Sequence, residues 1–434
     1  MKKLNPEEND EIENQTLEKG KSEKVMDIFI KWSESLTLHA IPNIFRTKHL
    51  VIRVLWIFAF TISTFTCAYM VSGSINNYLQ FGVITTIRVT SENPMTFPSI
   101  TLCNANAFVT EESYSFTDEF ITNLFGLNSS DILENKSNIT TFNSKYPLFV
   151  RYFASKFFIQ NAAFILNETQ KKSFGFTIKK TLISCFFGLN YCDENDFIYY
   201  YDFMYGNCYK FNTGKYLNGS DEELKTISKI GKQNGLMLEL FVGNANNPKS
   251  LSIFSGAHIF IHNDSLTPST YEGIDLNVGT STNIAVHKSY ISKLPKPYSD
   301  CTENLDKMNS FDSELFRAII KSNNSYRRVD CLNLCYQKKL LDQCGCYDTS
   351  VQPLNPNDDR ICSNEKQTLC LYGVFDYFTK KGFNELCSND CPVECHSTQY
   401  SLSTSSLLYP SRAYAHNMLK DSNIISRFGG NTQC

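Results

Sequence analysis

The feature that most constrains this chain is a run of eighteen residues, Val54 to Val71, without a charged side chain. Coiled as a helix it extends about 27 Å, close to the depth of a bilayer's hydrocarbon core. A helix buried in a soluble core normally keeps one polar stripe, but here only Thr61, Ser63, Thr64 and Thr66 are polar. More than fifty residues precede the run and no small-residue cleavage site follows at Ser72 to Asn77, so it reads as a retained membrane span. Lys31, Arg46, Lys48 and Arg53 precede it closely, and only Arg88 lies within about twenty residues after it. That asymmetry predicts a cytosolic N-terminus, with residues 72–434 extracellular and the plasma membrane as location.

The rest of the chain divides around this span. Residues 1–24 are rich in Glu, Lys and Asn and read as a disordered cytoplasmic tail. Residues 25–50 form a pre-membrane segment in which Val25, Phe29, Trp32 and Leu36 recur at helical spacing. After the transmembrane helix, placed at 51–71, residues 97–103 alternate like a strand entering the outer domain, with Pro98 at an edge. A polar region from Glu111 to Tyr146 reads as a peripheral insertion. The runs LMLELFV, SIFSGAHIFIH and TNIAVHKSYI between Leu236 and Leu294 predict the core sheet, and Ser313 to Leu341 returns to helical spacing. The expected fold class is α+β: one N-terminal transmembrane helix and a disulfide-rich outer domain with a central β-sheet and helical peripheral lobes.

Sequons for N-glycosylation stand at Asn128, Asn135, Asn138, Asn167, Asn218, Asn263 and Asn323, all on the proposed outer side. With 41 basic against 44 acidic side chains, the chain offers no electrostatic footprint for nucleic acid.

Sixteen cysteines point to an oxidising compartment. Setting aside Cys67 in the span and the terminal Cys434 leaves fourteen, an even number. Four of these, Cys103, Cys185, Cys192 and Cys208, come early, and the other ten lie between Cys301 and Cys395. Cys331 and Cys335 are one helical turn apart, and Cys387 and Cys391 repeat that spacing. On antiparallel segments these pairs would join as rungs, Cys331 with Cys391 and Cys335 with Cys387. The competing reading is zinc, held by Cys344 and Cys346 or by Cys391 and Cys395. Fourteen cysteines allow on the order of 10⁵ pairings, so spacing alone leaves the full connectivity open.

Five motifs, in order, carry a resemblance. They are Leu38-His39-Ala40-Ile41-Pro42-Asn43-Ile44-Phe45; Phe97-Pro98-Ser99-Ile100-Thr101-Leu102-Cys103-Asn104; Leu294-Pro295-Lys296-Pro297-Tyr298-Ser299-Asp300-Cys301; Tyr326-x4-Cys331-x3-Cys335-x8-Cys344-x-Cys346; and Cys391-Pro392-x2-Cys395-x4-Tyr400. From about Ser33 to Tyr409 the chain resembles the degenerin/epithelial sodium channel family, which includes acid-sensing and peptide-gated channels, and among these it looks most like cnidarian peptide-gated subunits. The resemblance implies seven bridges: Cys103–Cys208, Cys185–Cys192, Cys301–Cys395, Cys331–Cys391, Cys335–Cys387, Cys344–Cys370 and Cys346–Cys362. It also implies a disulfide-braced, thumb-like region at 300–395 and trimers, homomeric or mixed with related subunits. Such a trimer sits in the lipid bilayer, conducts sodium ions and answers an extracellular ligand, here a short neuropeptide. The matching gating positions are His39 and Ala40 before the span. Tyr78, or Phe81, and Tyr298 match the wrist that couples the outer domain to the pore.

Two departures stand out. The family's His-Gly is His39-Ala40 here, which matters if that position needs a left-handed backbone. No second apolar run follows Val71, so the expectation is a chain truncated before the family's second helix and its Gly-x-Ser filter. As it stands it also fits a non-conducting subunit or a membrane-tethered, ligand-binding outer domain.

Enzyme readings fail on chemistry. No Asp-x-Asp, His-Glu-x-x-His, Gly-x-Ser-x-Gly or phosphate loop occurs, and no cofactor is expected. His258 and His262 are four apart in a strand-like run with Phe260 between them, which argues against a metal pair. Arg427-Phe428-Gly429 resembles the ending of an amidated-peptide precursor, but no dibasic site follows it.

Overall fold

The computed structural model describes residues 24–25, 27–33, 35, 40–125, 147–216, 219–243, 252–263, 268, 272–321, 325–351, 360–362 and 365–428. The chain separates into two units, Met1–Ile87 and Arg88–Cys434.

In the first unit, residues 27–33 are helical, and Phe29 packs on Trp32 and edge-on against Phe45, with ring centroids 5.7 Å apart in each pair. Helix α1 (Ala40–Arg46) follows, then α2 (Leu50–Leu79). Arg53 donates to the carbonyls of Ile44 and Thr47, which ties the start of α2 to the end of α1. The 30-residue α2 contains the apolar run and outlasts the expected 51–71 segment by eight residues at its end. Backbone hydrogen bonding carries the helix on, since nothing between Ser72 and Leu79 breaks it except the tolerated Gly73. Thr61, Thr64 and Thr66 return their hydroxyls to carbonyls three or four residues back, so these polar groups of the run are satisfied within the helix. None of its described side chains is buried within the chain, and the helix is long and apolar enough to cross a membrane.

The second unit begins with β1 (Met95–Thr96), β2 (Ser99–Asn104), α3 (Glu111–Phe125), α4 (Pro147–Ile165), α5 (Glu168–Phe174) and α6 (Ile178–Thr181). Strands β3 (Leu182–Phe187), β4 (Asn190–Tyr191), β5 (Phe197–Asp202), β6 (Gly206–Phe211), β7 (Thr226–Ile227) and β8 (Leu236–Leu240) come next. Then follow β9 (Gly256–His262), β10 (Ile274–Asn277), β11 (Thr280–Ser292), β12 (Cys301–Thr302), α7 (Glu314–Lys321), α8 (Arg328–Cys344), α9 (Glu365–Lys381) and α10 (Phe383–Leu386). The last elements are β13 (Val393–Glu394), β14 (His396–Leu408), α11 (Arg412–Met418) and α12 (Ser422–Phe428).

The three runs expected to form one core sheet enter three different sheets. The first supplies β8, which joins β3 and β4; the second supplies β9, in a five-stranded sheet of order β10-β9-β2-β6-β5; the third supplies β11, paired among the described residues with β14. A period of two identifies a strand but says nothing about its partner. The segment at 97–103 is likewise not an alternating edge. Pro98 stands just before β2, where it removes no ladder donor, and β2 lies between β9 and β6 with Ser99 to Cys103 all buried. The centre of this sheet is Leu102, Phe197, Phe211 and Ile259.

The stretch of helical spacing at 313–341 enters two helices, α7, described to Lys321, and α8, which starts at Arg328. Gly345 ends α8 in the left-handed conformation, with φ 68°. With α9 and α10 these helices enclose a separate core of Phe316, Tyr336, Leu340, Val374 and Phe378.

Candidate functional site

All seven bridges implied by the resemblance are present. In the sheets, Cys103–Cys208 joins β2 to β6, and Cys185–Cys192 joins β3 to the residue after β4, where the Cys192 N–H also donates to the Cys185 carbonyl at 3.1 Å. The other five are Cys301–Cys395, Cys331–Cys391, Cys335–Cys387, Cys344–Cys370 and Cys346–Cys362. Cys344–Cys370 ties the end of α8 to α9, and Cys346–Cys362 closes the loop that leaves α8, with Cα atoms 5.8 and 5.0 Å apart.

The two rungs drawn from helical spacing are among these five, with one correction. Cys331 and Cys335 sit on α8, but Cys387 and Cys391 span a single turn after α10, closed by Cys391 N–H donating to the Cys387 carbonyl at 2.9 Å. Neither zinc reading survives, because every cysteine it needs is bridged.

The bridged region, residues 301–395, is covalently continuous with the rest of the chain at two points, and these meet. Cys301 and Cys395 are bonded, with Cα atoms 4.9 Å apart, and β12 runs parallel to β13 beside them. Outside that root, Lys293 N–H donates to the Cys395 carbonyl at 2.8 Å, continuing the thirteen-pair β11–β14 ladder to the bridge. Within it, the Tyr326 hydroxyl donates to the Pro392 carbonyl at 2.8 Å. The Glu394 carboxylate accepts from the Arg328 N–H and so caps α8, whose preceding residue, Arg327, provides no side-chain cap. A carboxylate at a helix N-terminus satisfies an orphan donor and opposes the helix dipole. Arg327 instead holds Asp330 through two bonds of 2.8 and 2.9 Å and reaches Glu272 at 3.7 Å.

The expected wrist residues lie as follows. Tyr78 is in the last turn of α2, 70% exposed, with its ring 6.4 Å from that of Phe81, which follows the helix with φ 50°. Tyr298 lies in the second unit, in a turn closed by its N–H on the Pro295 carbonyl at 3.0 Å and by the Ser299 hydroxyl on Leu294 at 2.6 Å. This turn leads from the end of β11 to Cys301. Ala40 is the first residue of α1 and is not among the positive-φ positions, so the backbone there asks for no glycine. His39 lies outside the described residues, as do Asn128, Asn135, Asn138, Asn218 and Asn323. Asn167 is exposed and Asn263 half-buried.

His258 and His262 do not form a metal pair, because both rings are already engaged. His258 faces the Asp275 carboxylate at 2.7 Å and the Glu272 carbonyl at 3.0 Å. Gly273 is required here, since a Cβ would come within 2.4 Å of the His258 ring. His262 meets the Thr101 hydroxyl at 2.7 Å and the Asn263 carbonyl at 2.8 Å, and burial lowers its pKa to about 4.

Around His258 stands a polar cluster that sequence reading missed. Tyr205 stacks on its ring at 4.2 Å, and the Lys156 ammonium lies 4.6 Å from the Tyr205 centroid while donating to the Met204 carbonyl at 2.6 Å. Burial lowers the Lys156 pKa to about 8 and raises the Asp202 carboxyl above its usual range, although Asp202 accepts from Met204 and Tyr205 N–H groups. No local signal in the sequence links α4, β5 and β9. Glu394, by contrast, had one: a carboxylate enclosed between Cys391 and Cys395.

At the end of the chain, Phe428 packs on Phe241 with centroids 5.1 Å apart, Arg427 donates to the Lys179 carbonyl, and the Tyr409 and Tyr414 hydroxyls both reach Glu239. Arg427 and Phe428 therefore serve packing, which favours coincidence over a peptide-precursor reading.

Known proteins align with this architecture. The gamma subunit of the epithelial sodium channel from Pelodiscus sinensis is 31% identical over 254 residues, 58% of this chain and 35% of that protein. The gamma subunit from Neoceratodus forsteri is 30% identical over 287 residues, 64% of this chain and 41% of its own length. The chain thus spans well under half the length of these curated relatives. The family described as amiloride-sensitive sodium channel matches residues 32–432, a stretch containing α1, α2 and all seven bridges. It is a family of ion channels rather than enzymes, and the chain belongs to it.

Proposed function

We propose that the chain is a subunit of a trimeric sodium channel of the plasma membrane, gated by an extracellular ligand, a short neuropeptide. Its N-terminus is cytosolic, α2 crosses the bilayer, and residues from Ser72 onward face outside. The trimer forms from copies of this chain or with related subunits. The observation that carries this reading is the root of the bridged region. Five nested bridges brace residues 301–395 into one body, and the Cys301–Cys395 bond attaches that body to the end of the β11–β14 ribbon, beside the Pro295–Tyr298 turn. A rigid body on a narrow root moves as a lever, and its displacement is delivered at the ribbon's end and the turn.

Tyr78 and Tyr298 are the coupling residues in this scheme, with His39 and Ala40 at the inner mouth of the pore. Currents recorded from cells expressing the subunit, alone and with related subunits, test it. Peptide should open a sodium current, and Tyr298→Ala should abolish the response while surface expression stays normal. Currents evoked by acid alone would overturn peptide gating, and normal gating in Tyr298→Ala would remove Tyr298 from the coupling path.

A further inference from the structure

Among the described sequons, Asn167-Glu168-Thr169 is exposed at all three positions. Asn167 is also the N-cap of α5: its side-chain oxygen accepts from Gln170 N–H at 2.9 Å, and the Gln170 side chain accepts from Asn167 N–H at 3.1 Å. This reciprocal pair fixes which amide atom is used, because only Oδ1 can accept. The nitrogen, Nδ2, is left for other chemistry.

We propose that Asn167 carries an N-linked glycan while it caps α5, the two roles being divided between the two atoms of one amide. In the transfer, Nδ2 bonds to the anomeric carbon of a sugar activated as a lipid-linked pyrophosphate. The anomeric C–O bond breaks, the pyrophosphate leaves with the electron pair, and Nδ2 loses one proton. The linkage remains an amide, so Oδ1 keeps the lone pairs that accept from Gln170. The cap matters beyond the surface. Helix α5 carries Phe174 into a buried cluster, where it meets Phe108 at 6.1 Å and Phe116 at 4.9 Å, and Asn207 of β6 donates to the Lys172 carbonyl at 3.1 Å.

The proposal rests on the extracellular placement of residues after Ser72, and one experiment separates the two. Full chain made in animal cells is treated with peptide-N-glycosidase, and gel mobility is compared for wild type, Thr169→Ala, Asn167→Asp and Asn167→Ala. Amide hydrogen exchange is then followed over residues 168–174. Thr169→Ala and Asn167→Asp should each lose one glycan's worth of shift yet keep α5 protected, because both retain an oxygen acceptor. Asn167→Ala should lose the same glycan and exchange about fivefold faster at the first turn. Glycosidase treatment converts a glycosylated Asn167 to Asp, so the treated wild type should keep its protection. No mobility shift in the wild type overturns the extracellular placement. A wild-type shift identical to that of Thr169→Ala overturns glycosylation at Asn167 and leaves the placement intact. Loss of α5 protection in Thr169→Ala or Asn167→Asp overturns the division of roles.

Discussion

The bridged region at 301–395 and the five-stranded sheet solve the same problem by different means. The sheet has one bridge, Cys103–Cys208, and it joins residues that are already direct partners in the β2–β6 ladder. Its folded structure is held by hydrogen bonds and by buried Leu102, Phe211 and Phe260, and the bridge acts mainly by restricting the unfolded chain. The helices of the bridged region share no ladder. Instead, segments separated by 16 to 94 residues are joined by sulfur around a shared apolar core, from Cys346–Cys362 at the near end to Cys301–Cys395 at the far one. Where segments distant in sequence have no strand ladder to align them, covalent links fix their pairing and restrict the unfolded chain.

The largest expected effect breaks the comparison if it fails. Phe211→Ala should cost about 3–5 kcal/mol and release the sheet, with the bridged helices still protected from exchange. Next, Cys335→Ser with Cys387→Ser should cost about 2–4 kcal/mol and open α8 to protease, while β2 and β6 keep their hydrogen-exchange protection. Mild reductant should likewise loosen α8 before the sheet, and loss of protection in the sheet first would refute the contrast.

The sheet should also answer to pH. The folded His262 pKa, about 4, lies below its ordinary value of 6.5, so the unfolded chain takes up the proton first as pH falls. Stability is then complete above about pH 6.5 and declines through about pH 4, by at most about 3 kcal/mol. Denaturant midpoints across that window should show the slope, and His262→Gln should remove its share of it. The smallest effect sharpens the root. Glu394→Ala should cost about 1 kcal/mol, seen as faster exchange at the first turn of α8, and Glu394→Gln should restore much of it by keeping an acceptor.

The long apolar helix α2 and the rungs Cys331–Cys391 and Cys335–Cys387 were legible in the sequence because both are local patterns. An uncharged run is visible without any partner, and a four-residue spacing puts two sulfurs on one side. The remaining bridges, among them Cys185–Cys192, Cys344–Cys370 and Cys346–Cys362, were legible only through the resemblance, since no repeated spacing marks their partners. Strands β3, β5 and β6 were missed, since LISCFF, FIYYYD and GNCYKF do not alternate cleanly; both faces of such strands meet other side chains.

What the sequence determined by itself is therefore the apolar run of α2, the cysteine framework of the outer domain and the elements whose signals repeat along the chain. Only the tertiary structure decided that three strand-like runs enter three sheets and that β2 is central. It alone brought Glu394 to the start of α8, and Lys156, Asp202 and His258 around Tyr205. The physical reason is that periodicity and spacing are properties of neighbours in sequence. Strand partners, caps borrowed from other segments and buried charges depend on which distant groups the whole fold brings within about 3 Å.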